Sequence, residues 1–194
     1  MKTIITFLLV LSIAITKTYA QKSDTNYESS KENPFGQYNP KAPKQILDYK
    51  DLIGVSKCTS VSKKPDQTWA KPVNMIWRWR YILNGNAVQD ETLKEDGTHS
   101  GSIRQFDKDS LHWNVHYYTM RRISPELPVW TGNKNKKGDI VLYKKQKAPN
   151  GMEGFSRLTF YDISKKGYKW KSDWVDTTEK FVFTTWKISC TKED

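Results

Sequence analysis

One arginine in the chain has a setting that suits an anion-binding site. Arg104 belongs to the segment SIRQFD, in which Ser102, Arg104 and Phe106 occupy alternate positions. Alternate side chains of a strand share one face, so an inward Arg104 would place a guanidinium beside aromatic walls. Its fork of N–H donors suits a carboxylate, phosphate or sulfate. The alternative is a structural arginine paired with a nearby acid such as Glu91 or Asp107.

Aromatic side chains are the second set of candidate binding residues. The chain has 8 Trp and 10 Tyr, and aromatic walls suit flat, apolar or sugar-like ligands. Packing of a small barrel core explains the same residues without any ligand. The predicted ligand-binding residues are Trp77, Trp79, Arg104, Phe106, Trp113, Tyr117, Trp170 and Trp174.

Signatures of catalysis and of metal binding are mostly absent from the sequence. It has no His-Glu-x-x-His, Gly-x-Ser-x-Gly, phosphate-binding glycine loop or Cys-x-x-Cys. His112 and His116 lie about 13 Å apart if they share a strand, too far to bind one ion. We predict no metal and no cofactor, with a haem bound by His116 as a minor hypothesis. An enzyme would need an inward titratable group such as Asp90 or Tyr117.

The segment MIWRWRYILNGN, residues 75–86, shows how the tryptophans are positioned. A period of two belongs to a β-strand, and Asn84-Gly85 is a typical hairpin turn. Arg78 and Arg80 share one face and are predicted to be outside. The opposite face, predicted to be inside, carries Trp77, Trp79, Tyr81 and Leu83.

From Gly54 onward, short alternating runs are separated by turn residues such as Lys-Lys-Gly. This spacing without a long helical period is typical of a β-sandwich or barrel, and short connections favour an up-and-down order. We predict an all-β fold, an antiparallel up-and-down barrel of about ten strands preceded by a short helix over 43–53. The strand predictions are 54–62, 72–83, 86–94, 101–107, 111–119, 127–131, 138–145, 154–162, 167–175 and 179–190.

Strand parity also predicts which side chains fill the interior of the later strands. On 101–107 the parity is ambiguous, because either face of the strand is acceptable. The interior residues predicted for the other strands are Trp113, Val115, Tyr117, Ser156, Leu158, Phe160, Tyr168, Trp170, Ser172, Trp174, Val182, Trp186, Ile188 and Cys190.

The N-terminus has the pattern of an export signal. Lys2 precedes a mostly apolar stretch, and Thr18-Tyr19-Ala20 offers a small-residue cleavage site. The stretch is too short for a stable transmembrane anchor. We therefore expect cleavage near Ala20 and a secreted or periplasmic protein without stable membrane insertion. After residues 1–20, the polar segment 21–42 is predicted to be a flexible lead-in, and 43–194 the barrel domain.

The charge of the chain indicates attraction to anionic molecules. Its net charge is +11, and removal of Lys2 and Lys17 with the leader leaves 30 basic against 21 acidic residues, or +9. No RNP-like, zinc-finger or helix-turn-helix pattern accompanies this charge, so nucleic acid is not an expected partner. We expect a monomer.

The two cysteines, Cys58 and Cys190, bear on barrel closure. In an exported protein, two cysteines are expected to pair. Cys58 lies in the first predicted strand and Cys190 at the end of the last, and these strands are neighbours if the sheet closes. Opposed residues of antiparallel strands are close enough for a disulfide. Two buried free thiols are the alternative.

Several segments together resemble a family of bacterial secreted proteins with a lipocalin-like, or calycin-type, barrel and no assigned function. The segments are LIGVSKC (52–58), WRWRYILNGNAVQDE (77–91), SIRQFDKDSLHWNVHY (102–117), LTFYDISKKGYKWKSDW (158–174) and the closing Trp-Lys-Ile. The resemblance covers roughly 50–190 and implies an antiparallel barrel that a leading helix closes at one end, with an interior pocket. The family's Gly-x-Trp in the first strand is Gly54-Val55-Ser56 here, so the tryptophan of the barrel floor is missing.

The sequence therefore predicts an exported barrel that binds a small, partly apolar ligand, anionic if Arg104 faces inward. We favour a binding protein over an enzyme. The alternatives are an isomerase- or cyclase-type enzyme acting on a small hydrophobic substrate, a haem-binding barrel, and an interaction protein with a filled barrel. About ten strands favour a hollow interior, since around eight leave just enough room for side chains or one small ligand.

Overall fold

The structure, a computed structural model, describes residues 26–193. The predicted signal peptide, residues 1–20, lies outside the described residues. Over the described part of the chain, no helix is long and apolar enough to span a membrane.

The described residues form one short 3-10 helix, Lys44–Tyr49, and ten strands. Each strand pairs antiparallel with its neighbour in sequence, and the first pairs with the last. The predicted all-β, up-and-down barrel with a leading helix is confirmed. The strands are β1 (Gly54–Ser62), β2 (Val73–Ile82), β3 (Ala87–Lys94), β4 (His99–Asp107), β5 (His112–Thr119), β6 (Val129–Lys134), β7 (Ile140–Lys145), β8 (Gly154–Ser164), β9 (Gly167–Asp176) and β10 (Val182–Lys192).

Closure of the barrel joins β1 to β10, and a disulfide crosses this seam. Cys58 is directly opposite Cys190 in the ladder, with the two Cα atoms 4.1 Å apart. Both residues are buried on the inner face. The predicted disulfide is confirmed, and it ties together the two strands that are farthest apart in sequence.

The two ends of the barrel differ in how they are covered. At the closed end lie the tight turns 83–86, 108–111, 135–139 and 165–166 together with the 3-10 helix. Ile46, Tyr49 and Leu52 of the helical segment are fully buried against the barrel. The open end carries the loops 63–72, 95–98, 120–128, 146–153 and 177–181.

The segment before the helix lies across the turn between β2 and β3. The Phe35 carbonyl accepts a hydrogen bond of 2.8 Å from the Tyr81 amide, and the Asn39 side-chain amide donates to the Asn84 carbonyl at 3.1 Å. Gly85 is required there: its φ is +75°, and a Cβ would lie 2.4 Å from the Gln37 carbonyl oxygen. These contacts belong to the described part of the predicted lead-in.

The predicted interior is confirmed on β2, where Trp77, Trp79 and Tyr81 are buried. Leu83 is not interior, because it lies in the turn with φ +52° and is 54% exposed. The prediction that Val182 is interior is likewise wrong, because it is 44% exposed. The register of β9 and β10 shifts between Thr184 and Trp186, and one extra residue in a strand reverses the parity beyond it.

Removal of the disulfide is expected to destabilise the barrel markedly. The bridge closes a loop of 132 residues, and the chain-entropy model assigns such a loop a stabilisation of about 5 kcal/mol. Removal of a native disulfide typically costs roughly 2–5 kcal/mol. The double substitution Cys58→Ala/Cys190→Ala should lower the free energy of unfolding by that amount in urea titrations. Reductant should destabilise the native chain similarly and leave the variant unchanged. Equal stability of both proteins would contradict this role of the seam.

Candidate functional site

Arg104 lies inside the closed half of the barrel and is 3% exposed. Its Nε and Nη2 donate to Oδ1 of Asp90 at 3.1 and 2.8 Å. Nη2 also donates to the Ser102 hydroxyl at 3.3 Å, and Nη1 to the Tyr49 hydroxyl at 3.4 Å. The other carboxylate oxygen of Asp90 accepts from Nε1 of Trp77 at 2.9 Å. The charges of this pair are therefore satisfied within the protein.

Aromatic rings surround the guanidinium. Its Cζ lies 4.7 Å from the ring centroid of Trp79, 5.0 Å from that of Tyr49 and 5.2 Å from that of Phe160. Burial, the largest single influence, lowers the pKa of Arg104, but the charges of Asp90 and Tyr49 and the hydrogen bonds to both together outweigh it, so the pKa is raised and the guanidinium stays ionised. Burial raises the pKa of the Tyr49 phenol, which stays neutral.

The closed half is filled by these side chains. Trp77 is directly opposite Ser56 in the ladder, so β2 supplies an indole beside the position where the family pattern has its tryptophan. Trp79 donates to the Tyr168 hydroxyl at 2.9 Å, and Trp113 donates to Asp48 at 3.1 Å. We conclude that this half of the barrel is a packed core.

Arg104 thus takes the structural role that was the alternative to anion binding, with a different partner. Glu91 and Asp107 were the expected partners, but Asp90 takes their place. The ladder sets Asp90 opposite Ser102, so Arg104 is its diagonal neighbour on the inner face, within reach of a long side chain. Glu91 follows Asp90 by one residue and therefore faces outward.

The open half of the barrel is a cup that solvent reaches. Several of its inward side chains keep partial exposure, although others there, such as Met75, Ser156 and Trp174, are buried. Leu158 is opposite both Leu142 and Ser172 in mid-barrel, so the cup extends down to that level. The partly exposed side chains of the cup wall are Lys94, Ser100, Tyr117, Trp130, Lys144, Leu158, Ser172 and Trp186.

Two tryptophans of the cup are held in place by serines. Trp186 donates to the Ser60 hydroxyl at 2.7 Å, and Trp130 donates to the Ser156 hydroxyl at 3.2 Å. Trp186 also meets Trp170 edge-on, with ring centroids 5.1 Å apart. Fixed indoles provide flat apolar surface at a low entropic cost for a bound molecule.

Two lysines on non-adjacent strands, β3 and β7, point into the cup. Lys94 of β3 is opposite Met75 and places its Nζ 4.7 Å from the Trp186 ring centroid. Lys144 of β7 is opposite Ser156 and places its Nζ 4.4 Å from the Trp130 ring centroid. Burial, and after it the charge of Arg122, lowers the pKa of the Lys144 ammonium. Neither lysine forms an ion pair with any residue in 26–193.

The predicted ligand-binding residues divide between the two halves. Trp77, Trp79, Arg104 and Trp113 belong to the packed core, and Phe106 packs edge-on against Trp113 at 5.6 Å. Trp170 also packs in this core, against Trp77 and Phe160. Trp174 is buried nearer the open end, where its Nε1 donates to the Gln146 carbonyl at 3.0 Å, and Tyr117 is partly exposed on the cup wall.

Sequence reasoning missed Lys94, Lys144 and Trp130 as site residues. A signal existed for the two lysines: Lys94 follows the inward Thr92 by two residues, and Lys144 follows the inward Leu142 by two. Lysine usually lies on the solvated surface, so neither residue stands out in the sequence as a site candidate. Of the groups considered for catalysis, Asp90 is fully engaged by Arg104 and Trp77, whereas Tyr117 lies on the cup wall.

His116 lies on the outer face of β5. It alternates with the inward Val115 and Tyr117 and is opposite Ile103. A haem bound by His116 would therefore lie outside the barrel. A separate groove of about 880 Å³ also lies outside, between β1, β2 and β3, lined by outward side chains that include Lys57, Asn74 and Leu93. Its wall also includes Lys94, whose Nζ lies over the Trp186 ring.

Comparisons with known proteins support the fold. No protein-family model matches the chain, and no curated protein sequence matches it. Among solved structures, the protein Rv2717c from M. tuberculosis aligns with a TM-score of 0.50 at 10% identity, over 79% of this chain and 99% of that one. The S-type phycobiliprotein lyase CPES from Guillardia theta aligns with a TM-score of 0.49 at 8% identity, over 78% and 98%. At 10% identity, the likeness to Rv2717c supports the fold alone.

Because Arg104 and Asp90 are buried as a pair, removal of either charge is expected to be costly. Asp90→Asn and Arg104→Met should each lower the free energy of unfolding by roughly 3–5 kcal/mol. Each substitution leaves the partner's charge buried without its counter-ion. The double variant should lose less than the sum of the two losses. Arg80→Met, at an exposed arginine that donates to Gln89 at 2.9 Å, is the matched control and should cost under about 1 kcal/mol. Additive losses in urea titrations would contradict a coupled pair.

Proposed function

We propose that the protein binds a small, partly apolar, anionic molecule in the cup at the open half of the barrel. The observation that carries the proposal is the position of Lys94 and Lys144, two ammonium groups inside the barrel without an acidic partner. Partial burial lowers the pKa of the Lys144 ammonium, and an opposite charge would offset the cost of that burial. An anion bound beside either lysine would supply that charge.

The rest of the wall defines the other part of the ligand. Trp130, Trp186 and Leu158 present apolar surface beside the two lysines, and Tyr117 meets Trp130 edge-on with ring centroids 6.3 Å apart. The hydroxyls of Ser100 and Ser172 add hydrogen-bonding groups. A planar or apolar body with one carboxylate, phosphate or sulfonate fits this combination.

A passive binding role accords best with the groups in the cup. Asp90, the carboxylate considered for proton transfer, already accepts from Arg104 and Trp77 and is separated from the cup by packed side chains. Binding needs only the shape and charge of the wall, whereas an isomerase or cyclase would need Tyr117 or Lys144, the titratable groups of that wall, to exchange a proton with its substrate.

Export remains part of the proposal. A disulfide between Cys58 and Cys190 suits an oxidising compartment, because cytosolic thiols are kept reduced. The pattern of the first 20 residues is in accord with it. We propose that the barrel works outside the cytoplasm as a monomeric carrier or sensor of its ligand.

Two fluorescent probes test the proposed charge selectivity. The probes are 8-anilinonaphthalene-1-sulfonate, which is anionic, and N-phenyl-1-naphthylamine, which has the same aromatic body without the sulfonate. Lys144→Met should weaken binding of the anionic probe about tenfold, the effect of losing one charged contact of roughly 1.4 kcal/mol. Binding of the neutral probe should change little, because methionine retains the apolar contact.

Lys145→Met is the matched control, since Lys145 is adjacent in sequence, exposed and directed outward. It should leave the affinity for both probes unchanged, and circular dichroism should show the native fold in both variants. Equal effects of the two substitutions, or equal affinity of the native protein for the two probes, would refute the proposed site.

A further inference from the structure

Exposed apolar side chains are concentrated at the open end of the barrel. Ile123 is 93% exposed, and Met120 and Phe181 are 62% and 57% exposed. Two large exposed apolar residues lie at the closed end, Leu83 and Leu111. Those at the open end are Trp69, Met120, Ile123, Leu127, Met152, Phe181 and Val182. A surface on which exposed apolar side chains are concentrated marks a candidate contact surface.

We name these seven open-end residues the apolar rim. They come from separate loops that surround the mouth of the cup: 63–72, 120–128, 146–153 and the 177–181 turn with the start of β10. Between two of these loops, Met152, Phe181 and Phe183 line an apolar notch of about 580 Å³. Separate tips of this kind suit a deformable partner better than a rigid one, which would require a continuous complementary patch.

Basic side chains flank the apolar rim. Arg122 precedes Ile123, Lys180 precedes Phe181, and neither forms an ion pair with a residue in 26–193. Trp69 is contacted by two ammonium groups, with Nζ of Lys187 4.9 Å and Nζ of Lys63 5.5 Å from its ring centroid.

Several acids of the same loops are already neutralised. Asp96 pairs with Arg121 at 2.7 Å and Glu153 with Lys147 at 2.6 Å. Glu179 pairs with Arg157 at 2.7 Å. The acids of the open-end loops without an ion pair in the described part of the chain are Asp66, Glu95 and Glu126, and the bases are Lys63, Lys64, Lys71, Arg122 and Lys180. The open end therefore presents a positive excess to a partner, with Arg122 and Lys180 next to the apolar tips.

We propose that the open end docks on an anionic lipid bilayer surface, with the apolar rim entering the interfacial layer. Tryptophan at the level of the head groups and isolated apolar tips below it are the usual composition of such contacts, and adjacent Lys and Arg bind anionic lipid phosphates. The docking is peripheral. It turns the mouth of the cup toward the bilayer, and it does not depend on what the cup binds.

Vesicle co-sedimentation of the full folded chain tests the docking. The protein should bind vesicles of phosphatidylglycerol and phosphatidylcholine more tightly than vesicles of phosphatidylcholine alone. Ile123→Ser/Phe181→Ser should lower the partition coefficient by about tenfold or more, because two exposed apolar side chains lose their burial in the interface. Leu83→Ser/Leu111→Ser, at the opposite end, is the matched control and should leave it unchanged.

The electrostatic part has its own pair of variants. Arg122→Gln/Lys180→Gln should reduce binding to the anionic vesicles about tenfold, whereas Lys136→Gln/Lys137→Gln, in an exposed turn of the closed end, should have little effect. Absence of vesicle binding would overturn the proposal. Equal loss in the rim and control variants would do so too, as would a rim-dependent dimer in sedimentation velocity without lipid binding.

Discussion

The buried pair of Arg104 and Asp90 is the constraint on which the interior depends. Two ions removed from water are tolerated only when their remaining hydrogen-bonding groups are satisfied. Here Trp77 occupies the second oxygen of Asp90, while Tyr49 and Ser102 accept from the guanidinium. These requirements fix an indole, a phenol and the leading helix in the closed half. A ten-stranded barrel that would otherwise be hollow is thereby filled at one end.

Filling one end leaves a short cup at the other. The cation of the closed half is paired with an acid, whereas the lysines of the cup form no ion pair with a residue in 26–193. In the closed half the cation has an acid within 3 Å, so it has no need of a ligand. In the cup, the ammonium groups of Lys94 and Lys144 lie over tryptophan rings, 4.7 and 4.4 Å from the ring centroids. Basic side chains therefore differ in role between the halves: Arg104 stabilises the fold in the closed half, and Lys94 and Lys144 are the proposed anion-binding groups of the cup. Closure of β1 on β10, with its disulfide, maintains both halves as one wall.

The alternation of Trp77, Arg78 and Trp79 was sufficient to predict strand, face and burial, because a half-buried strand admits only a period of two. The partner of Arg104 could not be predicted from the sequence. It is Asp90, a diagonal neighbour whose position depends on the pairing register of β3 and β4, and no local pattern encodes that register. Val182 was assigned to the wrong face because a bulge has no clear signature in a single sequence. The inward lysines were missed for a different reason: their parity was readable, but lysine is rarely found inside a barrel.

The central claim is that anions enter the cup and not the closed half. Crystals soaked with an iodinated benzoate test it most directly, because anomalous scattering locates the iodine without bias. The account predicts an iodine peak inside the open half, with the carboxylate within about 4 Å of Nζ of Lys94 or Lys144. A carboxylate bound to Arg104 in place of Asp90, or found only on the outer face of the barrel, would contradict it.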